Sequence, residues 1–298
     1  MAYEKRFSKG EVIIKQGDLG SSFFRIIEGT AEAIVNYGEE GERSLTELSA
    51  GQFFGELAAI EAYPRSATII AKEDVVVEEI DQDQLKDFFN ENPDMILAIM
   101  KNIGGRLKEL TAEYDLVNQA IAGAKAQQAK DETLFAKIKK FVDYYTSGKN
   151  NITKPSAEAL RDAKEQLKGQ TGGNVEAYDK GTIIFKEGET GNCMYIVYGG
   201  VVGIYSNYGA DSQNKLTDLY PVECFGEMGM ISGDARSATA VAELPETYVE
   251  IIRPEDLADL FKSSPIKIEM ILKHLSYRLR QLTFDYLNAC KELNDLYS

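Results

Sequence analysis

The chain has 298 residues, 44% of them hydrophobic and 27% charged, enough for two domains with cores of their own. Its 33 basic against 48 acidic side chains give a net charge of −15, which weighs against a protein that grips nucleic acid through phosphates. One histidine, His274, and three scattered cysteines, Cys193, Cys224 and Cys290, exclude His-rich metal centres, a repeated Ser-His-Asp site and a disulfide framework.

No apolar run reaches the roughly 18 residues of a membrane span, and no signal peptide follows Met1. The expectation is a cytoplasmic protein. From the N-terminus, short β-type runs alternate with glycine turns: Glu11–Lys15, Phe23–Ile27, Ala31–Val35, Thr68–Ala71 and Val75–Glu79. Many short strands at regular turn spacing predict a sandwich, barrel or jelly roll. After Pro93 the period changes. Ile96, Met100, Ile103, Leu107, Leu110, Tyr114, Val117 and Ile121 alternate steps of four and three, a heptad seam on a long helix. Gly104-Gly105 lies inside it. Each glycine costs a helix roughly 1 kcal/mol relative to alanine, so the pair reads either as a hinge or as close packing against the β-domain. Between Gly123 and about Ala177, helices are expected over Thr133–Tyr145 and, behind an N-cap-like Thr153 or Ser156, over Pro155–Lys168. Gly148–Asn151 and Gly169–Asn174 break them.

The rest of the chain repeats the beginning. A shift of 171 places Lys180-Gly181 on Lys9-Gly10, Gly188 and Gly191 on Gly17 and Gly20, and Asn207-Tyr208-Gly209 on Asn36-Tyr37-Gly38. One inserted residue near Leu244–Glu246 makes the shift 172, which pairs Arg278-Leu279 with Arg106-Leu107. Behind the helix-start signal Ser264-Pro265 the seam recurs through Ile268, Leu272, Leu275, Leu279, Leu282, Tyr286, Ala289, Leu293 and Leu296. A unit of this length is a duplicated domain rather than a solenoid repeat. The expected fold is mostly β with helices (α+β): two jelly-roll-like β-rolls, each followed by a long C-terminal helix, joined by a helical connector. The boundaries fall at 1–122, 123–176 and 177–298. The two seams suit either a pair of helices within the chain or a homodimer interface.

The best-preserved stretch is Phe54-Gly55-Glu56-Leu57-Ala58 with Pro64-Arg65-Ser66-Ala67-Thr68, matched by Phe225-Gly226-Glu227-Met228-Gly229 with Ala235-Arg236-Ser237-Ala238-Thr239. In both, a glutamate precedes an arginine by nine residues. Small residues leave backbone N–H groups uncovered, and a short helix opening at the glycine would offer its N-terminus to an anion. Arginine can fork onto two phosphate oxygens, and the glutamate suits a sugar hydroxyl. Together they describe a ribose-phosphate site.

This stretch resembles the phosphate-binding cassette of cyclic nucleotide-binding domains, found in catabolite-activator proteins, kinase regulatory subunits and cyclic-nucleotide-gated channels. The resemblance covers both repeats, about 240 of the 298 residues. It implies a β-roll that binds cAMP or cGMP, one molecule per repeat, with no metal and no catalytic residue. Glu56 and Glu227 would accept the ribose 2′-hydroxyl, and Arg65 and Arg236 would pair with the cyclic phosphate. Backbone at Gly55, Leu57, Ala58 and Ala67, and at Gly226, Met228, Gly229 and Ala238, would line that phosphate. Ser66 and Ser237 would lend hydroxyls, and Thr111 and Thr283 on the long helices would reach the purine. Ala235 in place of Pro64 suggests a less stiffly held arginine in the second repeat. The implied role is a non-enzymatic sensor that signals to an effector protein, with neither nucleic acid nor membrane as partner. The alternatives are a catabolite-activator-type transcription regulator, disfavoured by the fewer than 20 residues after Leu279, and a scaffold with empty pockets. A jelly-roll metalloenzyme is disfavoured by the single histidine.

Overall fold

The computed structural model describes residues 3–35, 37–39, 42–56, 60, 65–125, 132–146, 154–156, 158–167 and 173–297. The expected breakers at 148–151, and most of that at 169–174, lie outside the described residues, as do Thr153, Leu57, Ala58 and Pro64.

The first repeat contributes β1 (Tyr3–Phe7), β2 (Val12–Ile14), β3 (Phe23–Glu28), β4 (Thr30–Val35), β5 (Arg43–Ser49), β6 (Phe53–Phe54), β7 (Thr68–Ala71) and β8 (Val75–Ile80). They form two four-stranded antiparallel sheets, ordered β1-β8-β3-β6 and β2-β7-β4-β5. Alternation along each strand sends Phe24 and Ile26 of β3, Val75 and Val77 of β8 and Phe54 of β6 into one core with Ala31, Ala33, Leu48, Ile69 and Ala71 of the other sheet. Full burial of a large apolar side chain contributes about 1.5–3 kcal/mol, so these residues dominate the stability of the roll.

The second repeat follows the same plan: β9 (Val175–Tyr178), β10 (Ile183–Phe185), β11 (Met194–Gly199), β12 (Val202–Ser206), β13 (Asn214–Leu219), β14 (Cys224–Phe225), β15 (Thr239–Ala242) and β16 (Thr247–Ile252). Its sheets are ordered β9-β16-β11-β14 and β10-β15-β12-β13, the first repeat's order strand for strand. Even the ring stacking recurs: Phe24 on Phe54 at 5.1 Å, Tyr195 on Phe225 at 5.0 Å. The five strands expected in the first repeat are all present. β1, β5 and β6 are additional.

The helices are α1 (Leu85–Glu91), α2 (Asp94–Lys125), α3 (Glu132–Thr146), α4 (Glu158–Leu167), α5 (Glu227–Ser232), α6 (Leu257–Ser263) and α7 (Pro265–Tyr297). Helix α4 begins at Glu158, three residues after Pro155. Helix α2 runs unbroken through Gly104-Gly105. Among the described residues no helix is long and apolar enough to cross a membrane.

The contacts divide the chain into two compact units. One holds Met1–Phe88, Arg106–Ser156 and Ser276–Ser298; the other holds Phe89–Gly105 and Ala157–Leu275. Both long helices therefore give about their first third to the second unit and the rest to the first. In the first unit Val117 and Ile121 of α2 are buried with Tyr286, Ala289, Cys290 and Leu293 of α7, under Ile138 and Val142 of α3. Val117 and Ile121 are the duplication partners of Ala289 and Leu293, so equivalent turns of the two seams meet each other. Lys125 closes the pair through Glu292 at 2.8 Å. Over these turns the seam is filled from within the chain, the first of the two readings that the seams suit. Among the seam positions Leu296 is exposed.

In the second unit Phe89 packs edge-on against its own duplication partner, Phe261, at 5.5 Å. Gly104 is buried, and a Cβ there would overlap the Ile231 side chain of α5. Close packing thus accounts for Gly104, but its partner is the cassette helix of the second repeat. Gly105 faces open space.

Candidate functional site

Each cassette begins where the sheet ends. After β6, Gly55 turns the chain at φ 77°, and after β14, Gly226 does so at φ 69°, a region closed to most side chains. A Cβ at either glycine would also collide with the arginine ten residues on, at 2.5 Å from Arg65 Nη1 and 2.8 Å from Arg236 Nη1. Helix α5 starts at Glu227 directly after this turn. In the first repeat Glu56 and Ile60 are helical, with Leu57 and Ala58 between them outside the described residues.

The charged side chains are inside. Glu56 is 4% exposed, Glu227 3%, Arg65 7% and Arg236 5%. Each arginine is held first by its backbone: Arg65 N–H donates to the Asp18 carbonyl and Gly17 N–H donates to the Arg65 carbonyl, both at 2.9 Å. Arg236 makes the same pair with Glu189 and Gly188, both at 2.8 Å. The residue before the arginine therefore does not decide how firmly its backbone is held, and Ala235 leaves Arg236 as well anchored as Arg65.

The guanidinium groups then bond to carbonyls. Arg65 Nη1 donates to the Gly55 carbonyl at 2.9 Å. Arg236 Nη1 donates to the Gly226 carbonyl, and Nη2 to that of Cys193 at 2.8 Å. Among the described residues neither arginine forms an ion pair. Burial lowers the Arg65 pKa from its ordinary value, opposed by the charges of Glu56, Glu79 and Asp18. A buried cation without a bonded counter-charge is a costly arrangement unless an anion completes it. Beside Arg65 lies a cavity of about 360 Å³, lined also by Ile14, Gly20, Ser22 and Phe24.

The structure thus brings Gly55, Glu56, Arg65 and Ala67 together in one unit, and Gly226, Glu227, Met228, Gly229, Arg236 and Ala238 in the other. A Cβ on Gly229 would stand 2.7 Å from Arg236 Nη1, so a larger residue there would make the guanidinium shift. Ala67 and Ala238 are buried; Ser66 and Ser237 are exposed. Thr111 and Thr283 each donate their hydroxyl to their own helix, to Leu107 and Leu279 carbonyls at 2.7 Å. Only acceptor capacity remains for a ligand. Thr111 belongs to the unit of its cassette, whereas Thr283 and the second cassette fall in different units. Among the described residues no group of three His, Cys, Asp or Glu side chains stands together as a metal site.

Three further residues belong to these sites. Arg106 of α2 donates from Nη1 to Glu56 Oε1 at 3.3 Å. Gly20 and Gly191 sit against the far side of the guanidinium groups, where a Cβ would collide with Nη2. Their signal in the sequence is recurrence: Arg106 returns as Arg278 and Gly20 as Gly191.

Residues 4–92 and 175–264 match the family described as cyclic nucleotide-binding domain. The chain belongs to that family and carries two copies of its domain. It is 28% identical over 242 residues to human cGMP-dependent protein kinase 2, covering 81% of this chain and 25% of the kinase. It is 22% identical over 240 residues to the cAMP-dependent protein kinase regulatory subunit of Blastocladiella emersonii, covering 80% of this chain and 48% of that subunit. Among solved structures, cAMP-bound PfPKA-R is 21% identical, covering 89% of this chain and 74% of that one, with a TM-score of 0.34. The chain thus spans from a quarter to about half of these curated relatives.

Proposed function

We propose that this protein is a non-enzymatic sensor that takes one cyclic nucleotide, cAMP or cGMP, in each cassette. The carrying observation is the duplicated pair of buried arginines, each bonded to carbonyls and with a buried glutamate nine residues before it. Arg65 and Arg236 bind the cyclic phosphate, and Glu56 and Glu227 the ribose 2′-hydroxyl. Backbone N–H groups of 67, and of 228, 229 and 238, complete the phosphate cradle, with Ser66 and Ser237 adding hydroxyls from the rim. Thr111, as an acceptor, reads an exocyclic amine of the purine. In this reading 1–122 and 177–298 are the sensing repeats and 123–176 the connector. The names of the relatives, a cyclic-nucleotide-dependent kinase and a kinase regulatory subunit, support an effector protein as the output, reached through the long helices.

Calorimetric titration of the intact chain with cAMP and with cGMP tests this. The expected stoichiometry is two, falling to one in Arg65→Ala and in Arg236→Ala. The 2′-deoxy nucleotide should bind far more weakly, because a site built around a hydroxyl rejects the analogue without it. No heat from the wild type, or two sites retained in both variants, would overturn the reading.

A further inference from the structure

The two arginines sit in unlike cages. The Cζ of Arg236 lies 4.4 Å from the ring centre of Phe185 and 5.5 Å from that of Tyr195. These rings pack with Phe225 into a trio whose centres are 5.0–5.9 Å apart. The hydroxyl of Tyr195 accepts from the Cys193 thiol at 3.3 Å, which fixes that ring further, and the Cys193 carbonyl and sulfur both face Arg236 Nη2. Among the described residues one ring lies over Arg65, Phe24, at 5.8 Å. The duplication places Ile14 where Phe185 stands and Ser22 where Cys193 stands. Ser22 turns its hydroxyl to Glu79 instead, and Ile14 borders the cavity beside Arg65. The backbone anchors of the two arginines are the same, so the cages are the difference.

We propose that Phe185 and Tyr195 are positioning residues for Arg236, and that they make the second site the tighter and slower-releasing of the two. The inference rests on reading both cassettes as cyclic nucleotide sites. A cation over aromatic faces is held in place. An arginine already confined gives up little rotamer freedom when an anion arrives, whereas one that must be ordered on binding weakens the complex. Arg65, with one distant ring among the described residues and a cavity at its side, is the less confined.

The test uses the intact chain with cAMP and cGMP as probes, by calorimetry and by dissociation rate. Arg65→Ala isolates the second site and Arg236→Ala the first. The second site should bind about three- to tenfold more tightly, the factor expected for ordering one long side chain. Phe185→Leu in the Arg65→Ala background should remove that advantage, and Phe185→Tyr, which keeps the ring, should retain it. Ile14→Phe in the Arg236→Ala background should tighten the first site, since the cavity gives the new ring room. Equal affinities of the two wild-type sites, or Phe185→Leu binding as well as Phe185→Tyr, would overturn the inference while leaving the cassettes intact. A wild-type chain that binds neither nucleotide would bring down the reading of the cassettes and this inference with it.

Discussion

The carboxylate of Glu56 is bonded to Arg106, fifty residues along the chain, at 3.3 Å. Glu56 is buried while the Arg106 side chain is 40% exposed. The pair ties the first cassette to helix α2, at the residue where the helix joins the first unit. Because the arginine is partly in water, its removal should cost about 1 kcal/mol of stability rather than the several expected for a fully buried pair. In a double-mutant cycle, Arg106→Ala and Glu56→Gln should be coupled by about 0.5–2 kcal/mol in urea unfolding. Additive effects would show that the two side chains act independently.

Gly104 and Gly105 should respond in opposite ways to alanine. A methyl group at 104 would overlap the branched side chain of Ile231, and a well-packed site resists such insertion by about 1–3 kcal/mol. A methyl group at 105 meets nothing, and the gain in helix propensity should be roughly 0.5–1 kcal/mol. Thermal unfolding of the two single variants separates a packing glycine from an idle one. Two variants stabilised alike would mean that α5 yields freely at Ile231.

His274 is held neutral. Burial pushes its pKa down to about 4, the nearby Lys164 pushes the same way, and Glu223 opposes. The unfolded value is near 6.5. Protons therefore bind the unfolded chain more readily between these values. The stability is fully present above about pH 6.5 and is lost as the pH falls toward 4, by up to about 3 kcal/mol. His274→Gln should lose correspondingly less between pH 7 and pH 4. Equal acid sensitivity in the two proteins would exclude His274 as a source.

Lys267 and Glu250 form an ion pair at 3.2 Å with both side chains almost fully buried. Glu250 also accepts from Gly173 N–H and from the Tyr198 hydroxyl, both at 2.9 Å, so it joins α7, β11, β16 and the approach to β9. Lys267→Met should cost about 3–5 kcal/mol, because it strands a buried carboxylate. Adding Glu250→Gln should recover part of that loss. Urea midpoints of the single and double variants provide the check.

The duplication and both cassettes were legible because they are carried by side-chain identity at a constant spacing. The strands rich in Val, Ile and Phe were legible for a related reason: they alternate into a core. β1 and β5 were not. Both are edge strands, and Arg43-Ser44-Leu45-Thr46-Glu47 reads as a polar loop because an edge strand presents most of its residues to water and guards its unpaired side with charge. The bond between Glu56 and Arg106 joins elements far apart in sequence, and no local pattern announces it. The heptad seam told that each long helix has a partner but not which one, since hydrophobic periodicity carries a period and no address.

That division of both long helices between the units has a consequence for how the molecule could be taken apart. A cut between Thr146 and Lys154 would sever the chain at a single place, yet the amino-terminal piece would still hold Phe89–Gly105, which belongs to the core of the second unit. The carboxy-terminal piece would still hold Ser276–Ser298, which belongs to the core of the first. A protease nick there should leave a species of unchanged mass in native solution, coming apart only when denatured.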